Sequence, residues 1–194
     1  MPGGGPSGFH SSEGFGNVVL GVWLAPRKFF GRLDPEGAPL RPALFAAAVL
    51  YLNLLFEELL QDAWRLEFNY GLLYAALPGL VVSLILAPLL VAGLSTLVLT
   101  VLDGGPSRRK FGLVFRALGY ATAIGIVLWI PYAPLFALPY GFYIATVAVK
   151  EALSLSWKRA TTAALVPLGA VLLIILLLTA PEEAFRLLIN PPGE

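Results

Sequence analysis

In a chain of 194 residues, 58% of positions are hydrophobic and 13% charged, against roughly 25% charge in an ordinary soluble domain. That composition excludes a soluble fold, and because five spans of about 20 residues would take half the chain, it also excludes a membrane-tethered catalytic domain. A formal net charge of +1 excludes a nucleic-acid partner, since tracking phosphates requires a clustered basic excess.

The pattern predicts an all-α polytopic bundle of five transmembrane helices preceded by an interfacial amphipathic segment. Residues 1–16 are a Gly/Pro/Ser tail that cannot bury enough surface to fold. This opening lacks the basic n-region of a signal peptide, so none is expected. Phe15 to Phe30 carries Val18, Val19, Val22, Trp23, Phe29 and Phe30, with Arg27, Lys28 and Arg32 at its end. It reads as an amphipathic segment lying in the cytoplasmic interface. The first span is placed at 39–56. The loop Glu57 to Leu77 contains Trp64, Phe68, Tyr70 and Tyr74 and reads as a short interfacial helix with aromatic anchors. The second span is 78–102, with Pro78 suited to a first helical turn and Pro88 inside it, where a kink or break is expected unless neighbours satisfy the freed carbonyl. The same holds for Pro139 and Pro167 further on.

Ala117 to Val149 is a charge-free stretch of 33 residues. As one helix it would be roughly 50 Å long, well beyond a hydrocarbon core of about 30 Å. Pro131 and Pro134 interrupt its middle, so it should fold as a hairpin of two spans, 111–130 and 132–149. Both ends of the stretch are basic, Arg116 and Lys150, which an even number of crossings satisfies. A fifth span, 160–180, leaves 181–194 as a short tail. The membrane domain is thus 17–180.

Basic residues in short loops mark the cytoplasmic side. Under this assignment eleven of the thirteen fall on one side: Arg27, Lys28, Arg32 and Arg41, then Arg108, Arg109, Lys110 and Arg116, then Lys150, Lys158 and Arg159. Only Arg65 and Arg186 fall on the other. The N-terminus is therefore expected in the cytoplasm and the C-terminus across a cell (inner) membrane.

No ionisable residue is then expected near mid-depth, which argues against a proton-coupled pump or a charged-substrate transporter while leaving a lipid pathway open. Glu57 with Glu58, and Lys150 with Glu151, read as solvated helix ends. The chain has no cysteine, and its one histidine, His10, lies in the tail. Thiol, histidine and cysteine-ligated metal chemistry are thereby removed, and no cofactor, metal or catalytic residue is expected. The polar residues within spans include Asn53, Ser83, Ser95, Thr96 and Thr122. Tyr120, Tyr140, Tyr143 and Thr146 fall on the two arms of the hairpin and form a candidate intramembrane pocket, with interhelical hydrogen bonding as the simpler reading. Small residues paired as Gly79/Ser83, Ala92/Thr96, Gly119/Ala123 and Gly141/Ala145 mark packing faces. Asp103-Gly104-Gly105-Pro106 reads as a turn leading into a basic collar, and Arg27, Lys28, Arg108, Arg109, Lys110, Lys158 and Arg159 are the candidate contacts to anionic headgroups.

Three segments together resemble the Yip (Ypt-interacting protein) family of five-span membrane proteins: Ala25-Pro26-Arg27-Lys28-Phe29-Phe30 before the first span, Ala117-Leu118-Gly119-Tyr120-Ala121 in the third, and the loop Val149 to Ala160 with Lys150-Glu151, Ser154, Ser156, Trp157 and Arg159. The prokaryotic members are the nearest in pattern. The chain lacks the long acidic N-terminal region and the Asp-Leu-Tyr-Gly-Pro motif of eukaryotic members, so their binding of Rab-type GTPases is not carried over. The resemblance implies a non-enzymatic multi-pass protein of membrane organisation or trafficking. Its partners would be membrane lipids, a second copy of the chain or another membrane protein. The alternative is a transporter, channel or lipid scramblase for an uncharged or lipid substrate, which a continuous polar groove would favour. A membrane enzyme would require a polar cluster that the linear order does not supply.

Overall fold

A computed structural model describes residues 14–34, 36–65, 71–105 and 107–179, with side chains described for 14–34, 36–60, 76–105 and 107–170. Its elements, in order, are α1 (Phe15–Leu24), α2 (Pro26–Phe30), α3 (Leu40–Arg65), α4 (Gly71–Asp103), α5 (Arg108–Ala121), a 3₁₀ segment (Thr122–Val127), α6 (Ala133–Leu153) and α7 (Trp157–Thr179). Among the described residues, four helical stretches are long and apolar enough to cross a membrane: Leu40–Leu60, Ala76–Asp103, Arg108–Val127 and Ala133–Leu153.

α1 begins at Phe15, so Phe15 and Gly16 are helical instead of belonging to the tail expected over 1–16, whose residues 1–13 lie outside the described residues. It ends at Ala25 because the residue before a proline disfavours the helical region, and Pro26 then takes the first turn of α2, where its missing N–H costs nothing. The two short helices are packed into the bundle: Val18, Val19, Val22, Phe29 and Phe30 are all buried in one cluster with Phe45, Val49, Ala117 and Ile144.

Two expectations for the first loop are corrected. α3 continues past Phe56 to Arg65, since Glu57-Glu58-Leu59-Leu60-Gln61 is a run of strong helix formers with no breaker. α4 is already helical at Gly71, placing Pro78 inside it rather than in a first turn. A separate interfacial helix over 57–77 is therefore not formed; Phe68 and Tyr70, and the side chains of Trp64 and Tyr74, lie outside the described residues. Pro88, Pro139 and Pro167 likewise sit within α4, α6 and α7 without terminating them.

The third span is also more irregular than expected. Its α-helix stops at Ala121 and tightens into 3₁₀ geometry through Val127, where Thr122, Gly125 and the β-branched Ile124, Ile126 and Val127 are weak α-formers. At about 1.5 Å and 2.0 Å per residue, the two parts still reach roughly 30 Å. A turn over residues 128–132 then reverses the chain into α6, with Tyr132 in the left-handed region at φ 66° and Pro134 in the first turn. The hairpin read from Pro131 and Pro134 is thus present.

Close approaches establish the register. A Cβ at Gly119 would lie 2.8 Å from the Pro42 Cβ, and one at Gly125 would lie 3.0 Å from the Val49 Cγ1. The Phe56 and Trp129 rings stack at 4.9 Å. Moving along α3 from 42 to 49 to 56 therefore means moving along the third span from 119 to 125 to 129, so the two run parallel. The chain reverses at Gly104 between α4 and α5 and over residues 128–132 before α6, so α4 and α6 run the other way, and α7 follows α6 after residues 154–156. One end of the bundle accordingly collects the start of α3, the start of α5, the end of α6 and the start of α7. A second buried cluster, Ala46, Ala47, Ala87, Val91, Leu99, Val114, Val149 and Ala163, joins α3 through α7 on the other side of the core.

Candidate functional site

The eleven basic residues that stood on one side of the sequence assignment all belong to this same end. Arg116 stands apart from the other ten: it lies inside α5, within the stretch expected as the third span, and is 8% exposed. The register explains how a buried guanidinium is tolerated. Gly119 is level with Pro42, so Arg116 is level with the residues before α3, where its Nη1 donates to the Gly37 carbonyl.

At this end α2 is the hub. The Arg27 guanidinium lies 5.2 Å from the centre of the Trp157 ring, and the Lys150 ammonium lies 5.5 Å from it. The Tyr143 ring stacks on Trp157 at 6.4 Å and on Tyr140 at 5.8 Å. The Tyr140 hydroxyl donates to the Trp23 carbonyl, and the Trp23 indole N–H donates to the Ala123 carbonyl at 3.2 Å. That acceptor lies in the 3₁₀ segment, and a carbonyl oxygen has two lone pairs with which to accept an outside donor. On the opposite face of α2, Phe29 meets Tyr120 edge-to-face at 5.5 Å, and Tyr120 also meets Phe45 at 5.4 Å. The three motif segments, 25–30, 117–121 and 149–160, thus converge in space. Gly119 permits this convergence because its lack of a side chain lets α5 close on Pro42.

The four residues of the candidate intramembrane pocket are not brought around one cavity. Tyr120 points to Phe29 and Phe45, whereas Tyr140 and Tyr143, 37% and 36% exposed, run outward toward Trp157. Thr146 is buried and donates to the Phe142 carbonyl one turn back in its own helix at 2.9 Å. Ser95, Thr96 and Thr122 are satisfied in the same intrahelical way, by Val91, Ala92 and Gly119 carbonyls. Local carbonyl acceptors, rather than partners on facing helices, therefore serve these hydroxyls. The Arg27–Trp157 contact escaped sequence reading because 130 positions separate the pair and no local spacing links them.

Arg27 and Trp157 are expected to be energetically coupled. In a double-mutant cycle of Arg27→Gln and Trp157→Ala, thermal unfolding in detergent should yield an interaction energy of about 0.5–1 kcal/mol, the range for exposed cation–π pairs. A coupling of zero would show that the geometry carries no stabilisation.

The candidate headgroup contacts divide by their partners. Lys110 is paired with Asp103 at 2.8 Å, across the Gly104 turn whose φ is 73°; Lys150, outside that set, is paired with Glu151 at 2.7 Å. Lys28, Arg108, Arg109, Lys158 and Arg159 are exposed. α5 opens on Arg108, Arg109 and Lys110, and α7 opens with Lys158 and Arg159 in its first turn. Cations at a helix N-terminus oppose the macrodipole, each by about 0.3–1 kcal/mol at low salt. An anionic surface facing this end of the bundle would offset that cost. A cleft of about 330 Å³ lies between the end of α4 and the start of α7, lined by Val101, Leu102, Lys158, Arg159 and Thr162. Among the described residues no group of His, Cys, Asp and Glu side chains is arranged to hold a metal ion.

These features define an all-helical multi-pass membrane protein with one strongly basic end. The Yip1 domain model matches residues 20–180, and the chain belongs to that family, which is linked to membrane trafficking and is generally non-enzymatic. No curated protein and no solved structure matches the chain.

Proposed function

We propose that this protein crosses a cell membrane five times and acts without catalysis in membrane organisation or trafficking, through its contacts with lipids and other helices. α7 is the fifth span, the basic end faces the cytoplasm, and the C-terminus lies opposite. Bilayer lipids are its first partners, with a second copy or another membrane protein as a helix partner. The observation that carries this reading is the meeting of all three motif segments at α2, beside exposed cations that hold no carboxylate among the described residues. The broad apolar exposure of α4, including Val81 at 57%, Ile85 at 58% and Leu89 at 62%, suits acyl chains.

Two measurements test it. Because the chain has no cysteine, Ser107→Cys and Tyr132→Cys each introduce a single thiol, one at the basic end and one at the opposite turn. A membrane-impermeant maleimide should label the first only from the cytoplasmic face and the second only from the other. Labelling of both from one face would refute the crossing hairpin. Separately, the chain in nanodiscs should unfold at a higher temperature with phosphatidylglycerol than with phosphatidylcholine alone. Added salt should shrink that difference. Equal stability in the two bilayers would remove the headgroup part of the reading.

A further inference from the structure

The seven candidate headgroup cations are not equivalent, and one place on the basic end has the features of a bound-lipid site. Lys158 and Arg159 both line the cleft between α4 and α7. Neither has an ion pair or hydrogen bond from its side chain among the described residues, whereas Lys110 and Lys150 are each held by a carboxylate. The remaining walls are apolar at Val101 and Leu102. Thr162 uses its hydroxyl proton on the Lys158 carbonyl at 3.0 Å, so recognition of an anion falls to the two cations.

The surface leading away from the cleft is equally informative. On α4, Leu97 lies one turn before Val101 on the same face, and the two are 43% and 39% exposed. On α7, Leu165 and Val166 follow Thr162 by three and four positions and are 55% and 50% exposed. α4 reaches the basic end at its C-terminus and α7 leaves it at its N-terminus, so both apolar strips descend from the cations toward the interior of the bilayer. A charged mouth above two apolar tracks is the shape of an anionic phospholipid, and a soluble anion would leave the tracks unused.

We propose that the α4–α7 cleft is a binding site for one anionic phospholipid, its headgroup phosphate held by Lys158 and Arg159 and its acyl chains lying along Leu97, Val101, Leu165 and Val166. This rests on the reading that the basic end faces an anionic leaflet, and it localises to one cleft what that reading leaves spread over the whole collar.

The test is thermal unfolding of the full chain in a neutral detergent at low salt, titrated with phosphatidylglycerol, phosphatidylcholine or glycerol 3-phosphate. Phosphatidylglycerol should raise the unfolding temperature of the wild type and the other two should not. With each cation contributing about fivefold, Lys158→Gln with Arg159→Gln should weaken phosphatidylglycerol binding about twenty-five-fold. Arg108→Gln with Arg109→Gln, which removes the same charge outside the cleft, should change it less than about threefold. Val101→Trp retains every charge and fills an exposed wall of the cleft, and it too should weaken binding. Should the two double variants lose equally, or Val101→Trp bind normally, the cleft is not the site although the anionic-surface reading stands. If the wild type shows no preference for phosphatidylglycerol, both fall. An equal effect of glycerol 3-phosphate would replace the lipid with a free anion.

Discussion

Replacing Gly119 by alanine is expected to lower the unfolding temperature of the protein in detergent, and replacing it by leucine to abolish recovery of folded material. A Cβ at this position would sit 2.8 Å from the Pro42 Cβ and 3.0 Å from the Pro42 carbonyl oxygen. The second of these is backbone, and the proline ring beside it cannot rotate away, so α5 and α3 must separate. Overpacking of this kind costs about 1–3 kcal/mol for small additions and more for large ones. Gly112, seven residues earlier in the same helix, is the internal control, because a Cβ there meets nothing within 4 Å. Gly112→Ala should stabilise by about 0.4–1 kcal/mol through the entropy of the unfolded chain. Opposite signs at the two glycines are the expected result. Equal effects would mean that helix propensity, and not close approach to Pro42, governs Gly119.

Phe29→Ala should release the N-terminal helices from the bundle. Phe29 is 5% exposed and wedged between Phe30 at 5.1 Å and Tyr120 at 5.5 Å. Truncating a buried Phe costs about 3–5 kcal/mol in a soluble core. The lower end applies here, since a released segment meets lipid as well as water and part of the transfer term is lost. Hydrogen exchange should therefore rise over residues 15–30 while α4 to α6 remain protected. A coupled variant sharpens the test. A Cβ on Gly21 would lie 2.9 Å from the Phe29 Cδ2, so Gly21→Ala should destabilise the wild type yet be tolerated once Phe29 is alanine. Unchanged exchange in Phe29→Ala would show that the α1–α2 unit is held by other contacts, such as those of Trp23.

Much of the architecture was legible before any coordinates. The hairpin followed from Pro131, Pro134 and a 33-residue charge-free stretch that no single helix fits in a bilayer. The family resemblance rested on 25–30, 117–121 and 149–160, and the matched domain spans all three. Boundaries were less legible. Apolarity marks where a chain can be in lipid, but α3 continues through Glu57 and Glu58 because helix propensity does not stop at a change of polarity. The 3₁₀ segment was invisible for a related reason, since Thr122 to Val127 is as apolar as its neighbours and only the accumulated weakness of its α-propensity, together with an acceptor for Trp23, distinguishes it.

The candidate site shows the same division more sharply. Residue order alone placed the basic residues to within a loop, and chain reversal at known turns carries that order into space, so a single basic end was determined by the sequence. Which cations are engaged was decided by packing. Arg27 is drawn to Trp157, Lys110 to Asp103, Lys150 to Glu151 and Arg116 into the core beneath Gly37, and none of these choices has a spacing signature except the shortest. The tyrosines tell the same story: sequence put them on two arms of one hairpin, but a helix turns about 100° per residue and neighbouring helices choose the face. That rotation sends Tyr120 to Phe29, Tyr143 to Trp157 and Tyr140 to the Trp23 carbonyl. Composition and charge order determined a membrane bundle with one basic end, because hydrophobic burial and charge exclusion act on segments. The tertiary structure decided which side chains meet there, because close packing acts on individual faces.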